Sequence, residues 1–110
     1  MMMTEAILNA DTEHEVYFLL SAYVEAVRYG DKLHCMPECI RRLPLNGIAD
    51  VRARFEKLVA ELDVASDRLD DKVSVVLREA LHVFGTACSR LTSLDTEGRQ
   101  IANTIDAQAA

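Results

Sequence analysis

The sequence of 110 residues contains no tryptophan and only 5% aromatic residues, so a folded core must consist mainly of Leu, Val, Ile and Ala. It also lacks any apolar run near the ~18 residues that a membrane span needs. Residues 1–10 have neither the basic start nor the long apolar stretch of a secretory signal. We therefore expect a cytoplasmic protein that does not enter a membrane.

An excess of basic residues is absent as well. The 12 Lys and Arg residues stand against 18 Asp and Glu residues, which gives a net charge of −6. Affinity for nucleic acids comes largely from Lys and Arg side chains that replace the counterions of the phosphate backbone. The acidic composition therefore predicts that the chain does not bind nucleic acid.

What the sequence does contain is helical periodicity. Apolar residues recur three or four positions apart, which predicts main helices over about 11–30, 48–66 and 70–94. The third of these carries two apolar rows, and such a helix is typical of the centre of a bundle. The rows are Leu77, Leu81, Phe84, Cys88 and Leu91, and Val73, Val76, Ala80, Val83 and Ala87.

The remaining segments have weaker patterns. Pro37 suits the first position of a short helical turn over 37–43, and a weak C-terminal helix is expected beyond Leu94. Residues 1–10 and about 106–110 are expected to be frayed or disordered. The sequence thus predicts one all-α domain over 1–110, a small bundle of three main helices.

The connection between the second and third main helices leaves an alternative open. Asp63, Ser66, Asp67, Asp70 and Asp71 favour a turn, and therefore a helical hairpin. No glycine or proline lies between Gly47 and Gly85, however, so one continuous helix over 48–94 remains the alternative.

The cysteines and a neighbouring histidine are the candidates for a metal site. Zinc needs about four Cys or His ligands, and His34, Cys35, Cys39 and Cys88 are the available residues. A second closely spaced ligand pair is missing, and three cysteines is an odd number. We therefore expect reduced thiols and no metal or cofactor, with a metal or thiol site on the 34–39 loop as an alternative.

One histidine lies in a segment that resembles a known active site. The stretch from His82 through Gly85 to Ala87 is similar to the phosphorylated helix of histidine-phosphotransfer domains. That family has a lysine before its glycine, whereas Phe84 occupies this position here. Without a basic neighbour nothing stabilises a phosphoryl group, so His82 is interpreted as a surface histidine.

A longer resemblance suggests a different function. The order of Ala22-Tyr23-Val24, Cys35-Met36-Pro37, and Ala80-Leu81 through Phe84 to Cys88 resembles a family of small helical immunity proteins. Those proteins protect bacteria against amidase toxins delivered by type VI secretion. The resemblance implies an inhibitor that binds and blocks a bacterial target protein, and we keep this as an alternative function.

No catalytic constellation is present in the sequence, so we expect a non-enzymatic protein. The apolar surplus of the third main helix predicts a protein-interaction module, with a second copy of the chain as its partner. Aromatic residues are enriched at interfaces. The residues predicted to contact the partner are Tyr17, Phe18, Tyr29, Val76 and Val83.

Overall fold

The structure, a computed structural model, describes the backbone of residues 3–29, 37–65 and 71–109, and the side chains of residues 3–29, 37–38, 40–63 and 74–96. The all-α fold that the sequence predicts is confirmed. The predicted segments 11–30, 37–43 and 48–66 correspond to the second, third and fourth helices. These described residues form five helices: α1 Met3–Leu8, α2 Glu13–Arg28, α3 Glu38–Arg41, α4 Ile48–Ala65 and α5 Asp71–Ala109.

The start of α2 is fixed by two side chains. The Oγ1 atom of Thr12 accepts a hydrogen bond of 3.1 Å from the Glu15 N–H. The Oε2 atom of Glu15 in turn accepts one of 3.1 Å from the Asp11 N–H. These bonds satisfy amide groups that have no partner within the first turn of a helix. The apolar face of α2 then enters the core through Val16, Leu20, Tyr23 and Val24.

The prediction that residues 1–10 are frayed is wrong for residues 3–10, the part of this segment that the structure describes. Residues Met3–Leu8 form α1, in which Ile7 is fully buried, and Ala10 just after it is 2% exposed. Nε and Nη2 of Arg90 donate hydrogen bonds of 2.9 and 2.7 Å to the Ala10 carbonyl oxygen. A helix of 6 residues is too short to show a periodic pattern, and it owes its stability to these tertiary contacts.

The structure separates α4 from α5, so the alternative of one continuous helix over 48–94 is wrong. Phe55 of α4 lies against Gly85 of α5. Arg52 lies three residues before Phe55, and Cys88 lies three residues after Gly85. These two residues are also close, because the charge of Arg52 affects the pKa of the Cys88 thiol. The two helices therefore run antiparallel, as in the predicted hairpin. Residues 66–70, which include part of the predicted turn, lie outside the described residues.

The C-terminal segment also differs from the prediction. The sequence suggested that the third main helix ends near residue 94 and is followed by a weak helix and a frayed end over about 106–110. Instead α5 continues as one helix of 39 residues to Ala109. No proline interrupts it, and Gly98 within it costs only about 1 kcal/mol relative to alanine.

The core lies around α5, which packs against α4, α1 and α2. Its buried positions come mainly from aliphatic residues, as the composition predicts, with Phe84 the largest fully buried side chain. The residues of α5 that are buried in this core are Val76, Leu77, Ala80, Val83, Phe84, Ala87 and Leu91.

Candidate interaction surfaces

The aromatic residues predicted as contacts on α2 are at or near the surface. Phe18 is 68% exposed, and Tyr29, just after the helix, is 83% exposed. Phe18 shares the solvent-facing side of α2 with the exposed residues His14 and Ala22. A large exposed aromatic side chain on a face that the core does not use is available to a partner.

Tyr17 has a different environment from Phe18. It is half-buried and packs against the core. Burial raises the pKa of the Tyr17 hydroxyl, and the nearby charges of Glu13 and Cys88 raise it further. Tyr17 therefore lies near Cys88 of α5 and, being half-buried, offers only part of its ring to a partner.

Val76 and Val83 cannot form the predicted contact surface. They are 2% and 3% exposed, and both belong to the core. The sequence argument assumed that three helices are too few to cover both apolar rows of α5. The structure adds a further helix that the sequence did not predict, α1, which also packs on α5.

A groove of about 470 Å³ crosses the outer side of α5, between α1 and α4. Leu8 of α1 is 56% exposed at one wall, and Phe55 of α4 forms the other. The hydroxyl of Thr86 donates a hydrogen bond of 2.8 Å to the His82 carbonyl oxygen. The groove therefore combines apolar walls with a floor that carries some polar groups. Its lining residues are Leu8, Phe55, Arg78, Leu81, His82, Gly85, Thr86 and Ser89.

A second cleft, of about 390 Å³, is lined mainly by positively charged side chains. Arg28 from the end of α2, Arg41 from α3 and Arg42 line it together with Glu38. Three guanidinium groups thus stand beside one carboxylate in a chain whose net charge is −6. Such a cleft favours acidic side chains over basic ones.

Arg54 is a structural residue that the sequence analysis did not single out. It is 3% exposed and donates hydrogen bonds to the Arg42 and Pro44 carbonyl oxygens. Its Nη2 atom lies 2.9 Å from Oδ2 of Asp50. Arg54 thereby attaches the segment before α4 to the helix itself. The signal in the sequence is the Asp50–Arg54 pair at a spacing of four residues, which is common on solvated helices and does not indicate burial.

The thiol of Cys88 is free and half-buried. Burial raises the pKa of this thiol; the charge of Arg52 lowers it and that of Glu56 raises it, and the pKa remains above its ordinary value. A raised pKa reduces the thiolate fraction, and the thiolate is the reactive form. Cys88 thus has the properties of a packed thiol.

Most of the candidate zinc ligands lie outside the described residues. His34 and Cys35 lie there, and so does the side chain of Cys39. Within the part of the chain that the structure describes, no group of three His, Cys, Asp or Glu residues is placed to hold a metal ion.

None of the helices in the described part of the chain combines the length and apolarity needed to cross a membrane.

Comparison with models of protein families, with curated proteins and with solved structures finds no match to this chain. Any function must therefore be argued from the residues described above and from the shape of the helices.

Proposed function

We propose that this chain is a non-enzymatic, cytoplasmic protein-interaction module that binds a second copy of itself. The observation that carries the proposal is the length of α5. It contains 39 residues, whereas its antiparallel neighbour α4 contains 18. A helix of this length spans about 58 Å at 1.5 Å per residue. This value matches the longest dimension of the molecule, 59 Å, against 26 and 23 Å for the others.

The end of α5 extends beyond its neighbour α4. With Phe55 beside Gly85 in an antiparallel pair, Ile48 at the start of α4 lies level with about residue 92 of α5. The remainder of α5 runs on past that level to Ala109. In proteins, most of the stability of a helix comes from the packing of its apolar face against other elements. A helix that leaves its bundle therefore gains stability when it packs against another chain.

Exposed aromatic residues support a role in binding. Phe18 and Tyr29 present large apolar surfaces to solvent, and aromatic residues contribute strongly at the centres of interfaces. The free Cys88 thiol is compatible with the reducing cytoplasm. These features supplement the argument from α5.

Size-exclusion chromatography with light scattering, over a wide dilution series, tests the proposal. We expect a mass near twice 12.3 kDa at high concentration, with dissociation on dilution. A constant mass of 12.3 kDa throughout contradicts self-association.

Two further measurements address the alternative functions. Native mass spectrometry of the untreated protein is expected to show no bound zinc; a zinc adduct would favour the alternative metal site on the 34–39 loop. A pull-down from the native host is expected to recover the chain itself. Stoichiometric recovery of a different protein in place of the self-complex would favour the inhibitor alternative.

A further inference from the structure

We propose that the arginine cleft, defined as the cleft lined by Arg28, Glu38, Arg41 and Arg42, binds the phosphoryl group of a phosphate monoester. The proposal goes beyond self-association, because the described lining of the cleft belongs to α2, α3 and the residue after α3. Three observations support it: the uncompensated positive charge of the cleft, the way in which its arginines are held, and its size and polarity.

The first observation is that the positive charge of the cleft is not compensated by the described residues. The ion pair within that part of the chain joins Arg54 to Asp50 and uses none of the three arginines of the cleft. Three guanidinium groups and one carboxylate leave the cleft with a net charge of +2. Because like charges repel each other, an anion in such a cleft is stabilising, and the field of the cleft concentrates anions from solution.

The second observation concerns Arg41, whose guanidinium has lost part of its contact with water. Its Nε atom is buried and has no hydrogen-bond partner, while the side chain lines the cleft. A charged group that is desolvated on one side, without a hydrogen bond there, is stabilised when an opposite charge approaches from the other side. An anion in the cleft supplies that charge.

The backbone that carries the arginines is held in place by contacts of its own. Ile40, next to Arg41, is fully buried, and α3 packs against α2. The carbonyl oxygen of Arg42 accepts a hydrogen bond from Nη1 of the buried Arg54. Arg28 lies in the last turn of α2. The cleft therefore exists before a ligand arrives, and binding requires little ordering of the backbone.

The number and origin of the arginines favour a phosphoryl group over a carboxylate. Guanidinium groups bind the oxygens of both anions with forked pairs of hydrogen bonds. Arg28 comes from α2, whereas Arg41 and Arg42 come from the end of α3, so donors reach the cleft from two elements. A phosphoryl group offers three oxygens in different directions, whereas a carboxylate offers two in one plane. A phosphate monoester is also close to a dianion at neutral pH, which matches the net charge of the cleft.

The third observation is the size and polarity of the cleft. Its volume of about 390 Å³ lies within the range of ligand pockets, about 300–1,000 Å³, and leaves room for more than a phosphoryl group. Its described lining consists of charged side chains, without an aromatic ring on which a nucleobase could stack. The carboxylate of Glu38 can accept a hydrogen bond from a hydroxyl group. The organic part of the ligand is therefore a sugar or another polyol.

Isothermal titration calorimetry in about 0.15 M salt tests the proposal, with glucose 6-phosphate as the probe. We expect saturable binding to one site per chain. Arg41→Gln is expected to weaken binding at least about 10-fold, because it removes a charge-assisted hydrogen bond. Arg78→Gln is the matched control, since it removes the same charge from an exposed position on α5 that lines the other groove. It is expected to change the affinity by less than about 2-fold, because distant exposed charges are screened.

A second variant guards against misfolding as the cause of lost affinity. Arg28 is exposed, so Arg28→Gln leaves the core intact, and its thermal unfolding should match that of the wild type. It is also expected to weaken binding about 10-fold. Wild-type affinity in Arg28→Gln and Arg41→Gln overturns the proposal. An equal loss of affinity in Arg78→Gln overturns it as well, because the effect then comes from net charge and not from the cleft.

Two further probes test the chemical class of the ligand. Succinate carries two carboxylates and the same charge, and it is expected to bind at least about 10-fold more weakly than glucose 6-phosphate. Inorganic phosphate lacks the sugar and is expected to bind at least about 3-fold more weakly. Equal binding of succinate overturns the assignment to a phosphoryl group, and equal binding of inorganic phosphate overturns the assignment to a polyol ester. If the wild type does not bind glucose 6-phosphate, the whole inference is overturned, whereas light scattering decides self-association separately.

Discussion

At the scale of single residues, Arg54 shows how a charged side chain can be part of a core. It is 3% exposed, and every hydrogen bond described for it goes to a backbone carbonyl or to Asp50. The Asp50 carboxylate also accepts a hydrogen bond of 3.0 Å from the Asn46 N–H. Gly47 beside it has a φ of 98°, a conformation that glycine adopts without strain. Together these contacts fix the path of the chain into α4.

We expect Arg54→Met to lower the free energy of unfolding by about 2–3 kcal/mol, because it leaves the carbonyls and Asp50 without their donor. Arg52→Met is the matched control, since Arg52 is exposed on the same helix, and it should change stability by less than about 0.5 kcal/mol. Urea unfolding followed by circular dichroism measures both. Equal losses in the two variants would show that burial of Arg54 contributes nothing.

The same cluster predicts a dependence on pH. Burial raises the pKa of Asp50, but hydrogen bonds from Asn46 and Arg54, with the charges of Arg54 and Arg42, outweigh it and hold the pKa below its ordinary 3.8. A depressed pKa in the folded state stabilises the fold above about pH 3.8, and this contribution is lost as the pH falls through the folded pKa.

The variant Asp50→Asn should accordingly be less stable than the wild type at neutral pH, with the difference shrinking in acid. Unfolding free energies of the two proteins across this range check the expectation. A difference that is independent of pH would rule out the ionised carboxylate as its source.

At the scale of helices, the contact between α4 and α5 depends on a missing side chain. A Cβ atom placed on Gly85 would lie 2.9 Å from Cε2 of Phe55, closer than packed atoms normally approach. Gly85 thus lets the Phe55 ring lie against the backbone of α5.

We expect Gly85→Ala to destabilise the wild type by about 1 kcal/mol, because the strain of overpacking exceeds the gain in helix propensity. In a Phe55→Ala background the obstacle is absent, and the same change should stabilise the protein by up to ~1 kcal/mol. A double-mutant cycle of unfolding free energies measures this reversal. The same effect in both backgrounds would exclude a direct contact as the cause.

The helices differ in how clearly the sequence pattern predicts them. The spacing of Ile48, Val51, Phe55 and Leu58 identifies α4, and the described helix Ile48–Ala65 lies within the predicted 48–66. By contrast α1 has too few residues for a pattern, and only its contacts in the folded chain reveal it. Periodicity reports which face of a long helix is apolar, but it carries no information on which distant segment covers that face.

The same limit explains the mixed outcome for the predicted surface. Phe18 is exposed because it lies off the apolar face of its own helix, a local property that spacing reveals. The burial of Val76 and Val83 depends on which helices pack against α5, and the spacing of residues within α5 does not report that. The groove between α1 and α4 was likewise unpredictable, since it requires the arrangement of three helices.

At the scale of the whole molecule, the long axis follows from α5 alone. The α5 extension, the part of α5 beyond about residue 92, runs past the start of α4. We expect a chain that ends after Thr96 to unfold within about 0.5 kcal/mol of the full-length protein at monomeric dilution, since the removed residues lie past the end of the contact between α4 and α5.

The shortened chain should also stay monomeric where the full-length chain self-associates. Chemical unfolding and light scattering of the two chains make the comparison. A large loss of stability at monomeric dilution would mean that the extension belongs to the bundle, and persistent dimers would mean that another surface joins the copies.

The hydrogen bonds from Arg90 to the Ala10 carbonyl have a consequence for how the protein is made. They join residues separated by 80 positions, and α1 packs against α5 in the same region. A ribosome that adds roughly 5–20 residues per second needs about 4–16 s to reach Arg90 after Ala10. During that time α1 can pack against α2 but lacks its docking site on α5. The core of this protein can therefore close only after Arg90 has been synthesised.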